Sequence, residues 1–334
     1  MKDPLVSVKM VTYNHAPYIA RAIEGVLQQK VSFPIELVIG EDCSTDGTRE
    51  IVFEYQKKYP DIIRVFTSDH NVGASQNYKR IRKPCRGRYI AFCEGDDYWH
   101  HPLKLQKQVD YLERHPECGL VYSSYDIYHV KSRKKITDFI KYRKWVIPKN
   151  PGISDFVEAK SVLGLAILTC TVTLRRSIYD QILESDPYLY SGHFLMGDTQ
   201  LWAEMANLIR VHYIPESLAT HIITEESATR SKDKKKMLRF TVSCCELMLY
   251  LCNKYKLPSS MRNVHEVDWC DSSLRLAFHS RNAKLADEVR SKKKAFTWEE
   301  WLRYFGAKYL VMYHFCRLIA LFPVLFRKRH NQWT

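Results

Sequence analysis

The chain has 334 residues, with 46% apolar residues, 12 Gly and 13 Pro. That is enough apolar material for a packed core, and it excludes wholesale disorder and collagen-like or low-complexity chains. The net charge of +14 is uneven: residues 1–229 hold 29 Lys and Arg against 28 Asp and Glu, while residues 230–334 hold 22 against 9, a net of +13. This distribution argues against a uniform basic coat for nucleic acid and implies a local anionic partner, of which an anionic membrane surface is one.

Ten cysteines, at 43, 85, 93, 118, 170, 244, 245, 252, 270 and 316, form no C-x-x-C pair and no zinc-finger spacing with His. They read as reduced thiols in a core. Lys2, Asp3 and Pro4 open the chain without a signal-peptide pattern, so a cytoplasmic protein is expected.

Four short, apolar, β-branched runs read as buried strands: Leu5–Val11, Ile35–Gly40, Ile63–Thr67 and Tyr89–Cys93. Between them, Ile19, Ala22, Ile23, Val26 and Leu27 follow one helix face, and Thr48–Tyr59 forms a second helix that stops at Pro60. Strand and helix alternating in this way predict an α/β fold, a mainly parallel sheet with helices on its faces. Ligands bind beyond the carboxyl ends of such strands. The polar residues gather there: Thr12-Tyr13-Asn14 after the first strand, Glu41-Asp42 after the second, Asp96-Asp97 after the fourth. A helix is expected from near Pro102. From 131 to 149, eight Lys and Arg face one acid, Asp138. Such a run is usually a solvated loop, though it could face an anion. A strand-like stretch, Ala166–Leu174, precedes helical segments near 177–184 and 198–208. Past about 230 the strand signal vanishes. Met237–Tyr255 and Val264–His279 read as helices, and Thr297 with Glu300 forms a capping box, Phe296 and Trp301 being placed as a staple. The box starts one long helix ending near Pro323.

Glu94-Gly95-Asp96-Asp97 brings carboxylates together that repel one another and need a counter-charge. Hard Mg²⁺ or Mn²⁺ is the natural one, and an acidic turn that caps the next helix is the alternative. Asp42 stands at a strand tip, where it could open an Asx turn or accept from a base or ribose. Asp198 has the context of a helix N-cap.

In combination, Val8–Asn14 (VKMVTYN), Val38–Thr48 (VIGEDCSTDGT), Asn71-Val72-Gly73 with Asn77, Gly87–Trp99 (GRYIAFCEGDDYW), Gly197–Trp202 (GDTQLW) and Glu225–Ser231 (EESATRS) resemble an inverting family-2 glycosyltransferase of the nucleotide-diphospho-sugar (GT-A) fold. The resemblance covers about the first 230 residues. It implies a catalytic domain over 1–229 and a basic helical region over 230–334. It also implies a nucleotide-sugar pocket holding Thr12, Tyr13, Asn14, Asp42, Asn77 and Asp96, a divalent cation on Asp97 with Asp96, and Asp198 as the base that deprotonates the acceptor hydroxyl. Departures are Glu41 and Cys43, where many relatives carry Asp and Gly, and Thr220-His221, where they often carry Tyr-Arg near the donor phosphates. His221 is counted with the nucleotide-sugar pocket, able to contact diphosphate if protonated but a weaker clamp than Arg, with a loop histidine of no consequence as the alternative. Glu41 is expected to turn into its own loop.

Residues 309–326 are nearly all apolar, broken by His314 and Arg317. A charge at mid-span, Pro323 and the flanking Tyr and Trp residues favour a helix lying in a membrane interface over one that crosses, with an ordinary docking helix as the alternative. The function expected is transfer of a sugar, UDP-linked by preference, to a glycan or polyprenyl-diphosphate-linked acceptor at the inner face of the membrane, in surface polysaccharide assembly. The rivals are an inactive GT-A-like scaffold and a nucleic-acid binder. A dehydrogenase is disfavoured because no G-x-G-x-x-G follows the first strand.

Overall fold

The computed structural model describes residues 3–149, 151–158, 167–224 and 233–319. They group into two units. The first is built around residues 3–156, 167–192 and 197–224, the second around 157–158, 193–196 and 233–319.

In chain order the first part forms β1 (Val6–Thr12), α1 (Ile19–Leu27), β2 (Ile35–Glu41), α2 (Thr48–Lys58), β3 (Ile63–Thr67), α3 (Ala74–Arg80), β4 (Tyr89–Phe92), β5 (Tyr98–Trp99), α4 (Lys104–Arg114), β6 (Cys118–His129), β7 (Lys134–Ile136), α5 (Phe139–Tyr142), α6 (Ile153–Glu158), β8 (Thr173–Arg175), α7 (Arg176–Ser185), α8 (Thr199–Leu208) and β9 (Arg210–Ile223). Among the described residues the sheet runs β3-β2-β1-β4-β8-β6-β9-β5, with β7 on the side of β6. β1 to β4 pair in parallel, as their apolar runs require of strands buried on both faces. Val6, Val8 and Met10 of β1 and Leu37 and Ile39 of β2 share one core with Ile19, Ala22, Ile23 and Val26 of α1.

The sheet is mixed beyond β4: β8 runs antiparallel to both its neighbours, and β5 antiparallel to β9. The expected strand over Ala166–Leu174 is instead a short 3-10 turn, Thr169–Thr171, followed by β8, with Ala166 outside the described residues. Thr169, Cys170 and Thr171 each serve the turn or its neighbours rather than a ladder. The long parallel pair β6–β9 has no counterpart in the sequence reading. Its register shifts near Ser123 and Ser124 break the two-residue alternation by which a strand is recognised.

The second unit holds α9 (Lys234–Lys254), α10 (Ser259–Ser280), α11 (Ala283–Lys292), α12 (Trp298–Lys308) and α13 (Leu310–Ile319). Val242, Trp269, Leu274, Ala277, Val289 and Ala307 lie in its core. The capping box forms: Thr297 Oγ1 accepts from Glu300 N at 3.3 Å and Glu300 Oε2 from Thr297 N at 2.8 Å. Phe296 meets Trp301 edge-on at 5.3 Å. The single long helix expected after it does not form. Tyr309 takes an extended conformation and separates α12 from α13, and Pro323 lies outside the described residues. Among the described residues no helix is long and apolar enough to cross a membrane.

Candidate active site

The loops after β1 and β2 are laced together. Asn14, with φ of 53°, donates its N–H to Ser44 Oγ at 3.0 Å, and its Oδ1 accepts from Thr45 N at 2.9 Å. Asp46 accepts from Ala16 N at 2.9 Å and from Thr48 Oγ1 at 2.6 Å. Glu41 does turn into its own loop, where it accepts from Ser44 N at 2.6 Å and pairs with Arg49 at 2.5 Å. Tyr13 projects from this scaffold with 42% of its surface exposed, a flat apolar face beside the sheet edge.

Asp42 is buried at the tip of β2. Its Oδ1 accepts from Val72 N at 2.9 Å and Ser68 Oγ at 3.2 Å, and its Oδ2 from Gly73 N at 2.9 Å. The carboxylate thus folds the Asn71-Val72-Gly73 turn against the strand tip. Asn77 is buried below the same edge: its Nδ2 donates to Gly40 O at 2.8 Å and its Oδ1 accepts from Arg80 at 2.6 Å. Its amide therefore clasps β2 to α3 and does not face solvent.

Glu94, Asp96 and Asp97 follow one another beyond β4. Gly95 lets the chain pass tightly over β1, since a Cβ there would sit 2.6 Å from Thr12 Oγ1. Glu94 accepts a hydrogen bond from Tyr78 OH. Burial and the charge of Asp97 push the Glu94 carboxyl up to about 8, and the same two causes raise Asp96. Asp97 Oδ1 accepts from His221 Nδ1 at 2.9 Å and from Ile222 N at 2.8 Å. Burial would lower the His221 pKa, but the charge and hydrogen bond of Asp97 lift it to about 9, so the ring is an imidazolium at neutral pH. Asp198 caps α8 through Thr199 N at 2.6 Å, and its Oδ2 accepts from Thr169 Oγ1 at 3.2 Å. Thr169 precedes Cys170, a buried thiol whose pKa is raised by burial and by the charges of Asp97 and Glu94. The 169–171 turn so ties the Asp198 helix to the Asp97 carboxylate.

Three residues here escaped the sequence reading. Tyr78 raises its hydroxyl between Glu94 and the field of Asp198. Lys9 is fully buried on β1, where Nζ donates to Tyr78 O at 3.2 Å and Tyr179 OH at 3.0 Å. The signal for Lys9 was a lone Lys inside an apolar strand. His15 lies with Nε2 3.9 Å from Asp96.

For a metal, the donor chemistry suits a hard cation: oxygen ligands, with Asp96 and Glu94 raised by burial and by the charge of Asp97, and Glu94 Oε2 and Thr12 Oγ1 buried without a partner. Among the described residues, no three Asp, Glu, His or Cys side chains are drawn together as a ligand set. Asp97 already serves His221 and Ile222, and Asp96 is the more exposed of the two.

This sheet, with its loops of carboxylates at the carboxyl ends of parallel strands, is the GT-A arrangement of a glycosyltransferase. Two solved structures share it: S. aureus TarS 1-349 in complex with UDP-GlcNAc, with a TM-score of 0.53, 18% identity and coverage of 90% of this chain and 79% of that one, and the mannosyltransferase PcManGT from Pyrobaculum calidifontis in complex with GDP-Man and Mn²⁺, with a TM-score of 0.52, 14% identity and coverage of 95% and 88%. Residues 7–182 match the model of glycosyl transferase family 2, and the chain belongs to that family. The uncharacterized protein Rv1520 of Mycobacterium tuberculosis is 33% identical over 213 residues, 62% of this chain, and the match spans 59% of Rv1520.

Proposed function

We propose that the protein transfers a sugar from a nucleotide-diphospho-sugar, UDP-linked by preference, to a hydroxyl of a glycan or polyprenyl-diphosphate-linked glycan, with inversion at the anomeric carbon. The observation that carries this is the run of Glu94, Asp96 and Asp97 beyond β4, with the Tyr78 hydroxyl on Glu94 also in the field of Asp198, which comes from a segment a hundred residues on. The nucleotide pocket is assigned to Thr12, Tyr13, Asn14, Asp42 and Asp96, with Asn77 clasping β2 to α3 beneath it. Tyr13 offers its ring to the base, and Asn14 and Asp42 hold the loops that frame it. Asp96 and Asp97 would hold a divalent cation, which when bound neutralises charge growing on the leaving diphosphate. His221, protonated on Asp97, supplies a second positive charge to that side.

Asp198 accepts the acceptor's proton on a carboxylate oxygen as the hydroxyl oxygen bonds to the anomeric carbon. The bond to the diphosphate oxygen breaks on the opposite face, and the nucleoside diphosphate leaves with the electron pair. The Thr199 N–H and Thr169 Oγ1 contacts hold the carboxylate in place. Such a reaction serves surface polysaccharide assembly at the inner face of the cell membrane.

A second reading, a scaffold that binds nucleotide without transfer, draws on the engagement of Asp97 by His221 and Ile222. Thermal unfolding against nucleotides and nucleotide-sugars, with and without Mn²⁺, tests both. A ligand at a hundred times its Kd stabilises by about 2.7 kcal/mol. A metal-dependent shift with UDP supports the transferase. A metal-independent shift without turnover supports the scaffold, and no shift with any nucleotide overturns both. Asp198→Asn keeps a capping side chain and is expected to lower turnover by about 10²–10⁴ while nucleotide binding persists. Undiminished transfer would overturn the assignment of the base.

A further inference from the structure

We propose that the surface built from β7, α5 and the turn after them holds the acceptor, and that the acceptor is an acidic glycan. The inference rests on the transfer reading and names the class of substrate that site would take. Residues 131–149 carry eight Lys and Arg against Asp138. They are not a solvated loop. Ile136, Phe139 and Ile140 pack with Tyr125 and Ile127 of β6 in a small core, where Ile140 is 3% exposed. Asp138 N donates to Asp126 Oδ1 at 2.9 Å, and Trp145 N to Ile140 O at 3.1 Å. The segment is thus fixed to the sheet, and its cations stand on the outside. Lys135 pairs with Asp126 at 2.8 Å, and Asp138 takes the Ser124 hydroxyl. Among the described residues, Arg133, Lys134, Lys141, Lys144 and Lys149 have no ion pair, and all five are exposed.

Rings lie among the cations. Tyr142, 59% exposed, stacks on Phe139 at 6.2 Å. The Arg143 guanidinium stands over both Phe139 and Trp145, 5.9 and 5.6 Å from their centroids. A sugar offers an apolar C–H face that covers such a ring, while a carboxylate on it pairs with the neighbouring Lys and Arg. A bilayer would ask for an outward aliphatic strip, and over 131–149 Val146 is the one large aliphatic side chain that is exposed. The surface also lies beside the transfer site. Ile136 of β7 is opposite Ile127 of β6, and Ile127 is opposite His221 of β9, two strand spacings or about 10 Å in all. Leu168 packs into the same small core as Phe139, and its neighbour Thr169 holds Asp198. An acidic acceptor brought to Asp198 meets the repulsion of Glu94, Asp96 and Asp97, which reaches about 8–10 Å at physiological salt. A cationic platform at that range offsets it.

The test is calorimetric titration of the full chain with a short oligogalacturonate and with a neutral dextran of equal length, beside the thermal shift with UDP and Mn²⁺. Wild type is expected to bind the oligogalacturonate, to release it as salt rises, and to bind the dextran about tenfold less. Lys141→Gln with Lys144→Gln is expected to weaken oligogalacturonate binding about tenfold, with the thermal midpoint and the nucleotide shift unchanged because both side chains are exposed. Tyr142→Ser, at equal charge, is expected to weaken it about fivefold. Unchanged affinity in the double Lys variant overturns the proposal. So does binding that Tyr142→Ser leaves untouched, since that is attraction for any polyanion. Single-stranded RNA or phosphatidylglycerol vesicles held more tightly than oligogalacturonate, and lost in the same variants, would assign the surface to nucleic acid or to a membrane and overturn it too. If the midpoint of the double variant falls, Lys134→Gln with Lys149→Gln repeats the measurement on side chains outside α5. Glycan binding that fails while the nucleotide shift persists overturns the acceptor assignment alone. A missing nucleotide shift with glycan binding kept strikes the transfer reading and leaves the glycan surface standing.

Discussion

Asn77 is 1% exposed, and both ends of its amide are engaged, one on the carbonyl of Gly40 and one on Arg80. The fit is tight: a Cβ on Gly40 would lie 2.3 Å from Asn77 Oδ1. Asn77→Ala takes the side-chain donor from the buried Gly40 carbonyl and leaves Arg80 with only the Glu41 carbonyl, so a loss of about 1–3 kcal/mol in unfolding free energy is expected by chemical denaturation. A larger effect on donor KM than on stability would instead mean that the side chain meets the nucleotide directly. Asp42 has the same dual aspect, since its oxygens hold the Val72 and Gly73 amides whatever else they touch. Residue chemistry was legible in the sequence, as a carboxylate at a strand tip. Which partner each oxygen takes was not, because Val72 and Gly73 arrive from another element.

At the scale of elements, α4 carries a fully buried lysine. Lys104 Nζ donates to Gln108 Oε1 at 2.8 Å and lies 4.2 Å above the Trp99 ring. Burial lowers its pKa from 10.5 to about 7. Between those values the unfolded chain holds a proton that the folded chain has released, so Lys104 makes stability rise with pH across that window. Below about 7 both states are charged and the full cost of burial is present. Lys104→Met is therefore expected to stabilise by roughly 1–3 kcal/mol at pH 6, with the gain fading as pH rises through 9 and 10. Gln108 Oε1 keeps a donor in Thr173 Oγ1 at 2.7 Å, so the variant orphans no acceptor. Denaturation midpoints at pH 6 and pH 9 check the sign, and a gain that grows with pH would contradict it. At the other end of the chain, Thr297→Ala removes one half of the capping box and is expected to lower stability by about 1 kcal/mol, read from the thermal midpoint. That box was legible because Thr297 and Glu300 are three residues apart. The end of its helix was not, because the break at Tyr309 accompanies the packing of Tyr313 on Phe278.

Across the whole molecule all ten cysteines are free thiols, and nine are buried. Burial raises Cys93 and Cys170 well above the ordinary thiol range and Cys85 and Cys118 to about 11. Cys43, half-buried on the loop after β2, is the exception. Ellman's reagent is expected to find one rapidly reacting thiol in the native protein and ten after denaturation. Several fast thiols in the native state would show that the core opens on the time scale of the reagent. The reading of the thiols as core fillers came from their spacing alone, and their burial agrees with it.

The sequence by itself determined what depends on neighbours a few residues away. The alternation β1, α1, β2, α2, β3 follows from apolar periodicity, the stop before Pro60 from backbone sterics, and the clustering of polar residues at strand ends from the turn chemistry that follows each strand. The family resemblance was legible for the same reason, since its motifs are short and ordered along the chain. Tertiary structure alone decided what depends on segments that meet across the chain. His221 reaches Asp97 across 124 positions, β9 lies against β6, Thr169 reaches Asp198, and α13 turns one apolar face inward and leaves the other outward. No local periodicity encodes these, because the free energy of such a contact belongs to both partners and appears only once the chain between them has folded.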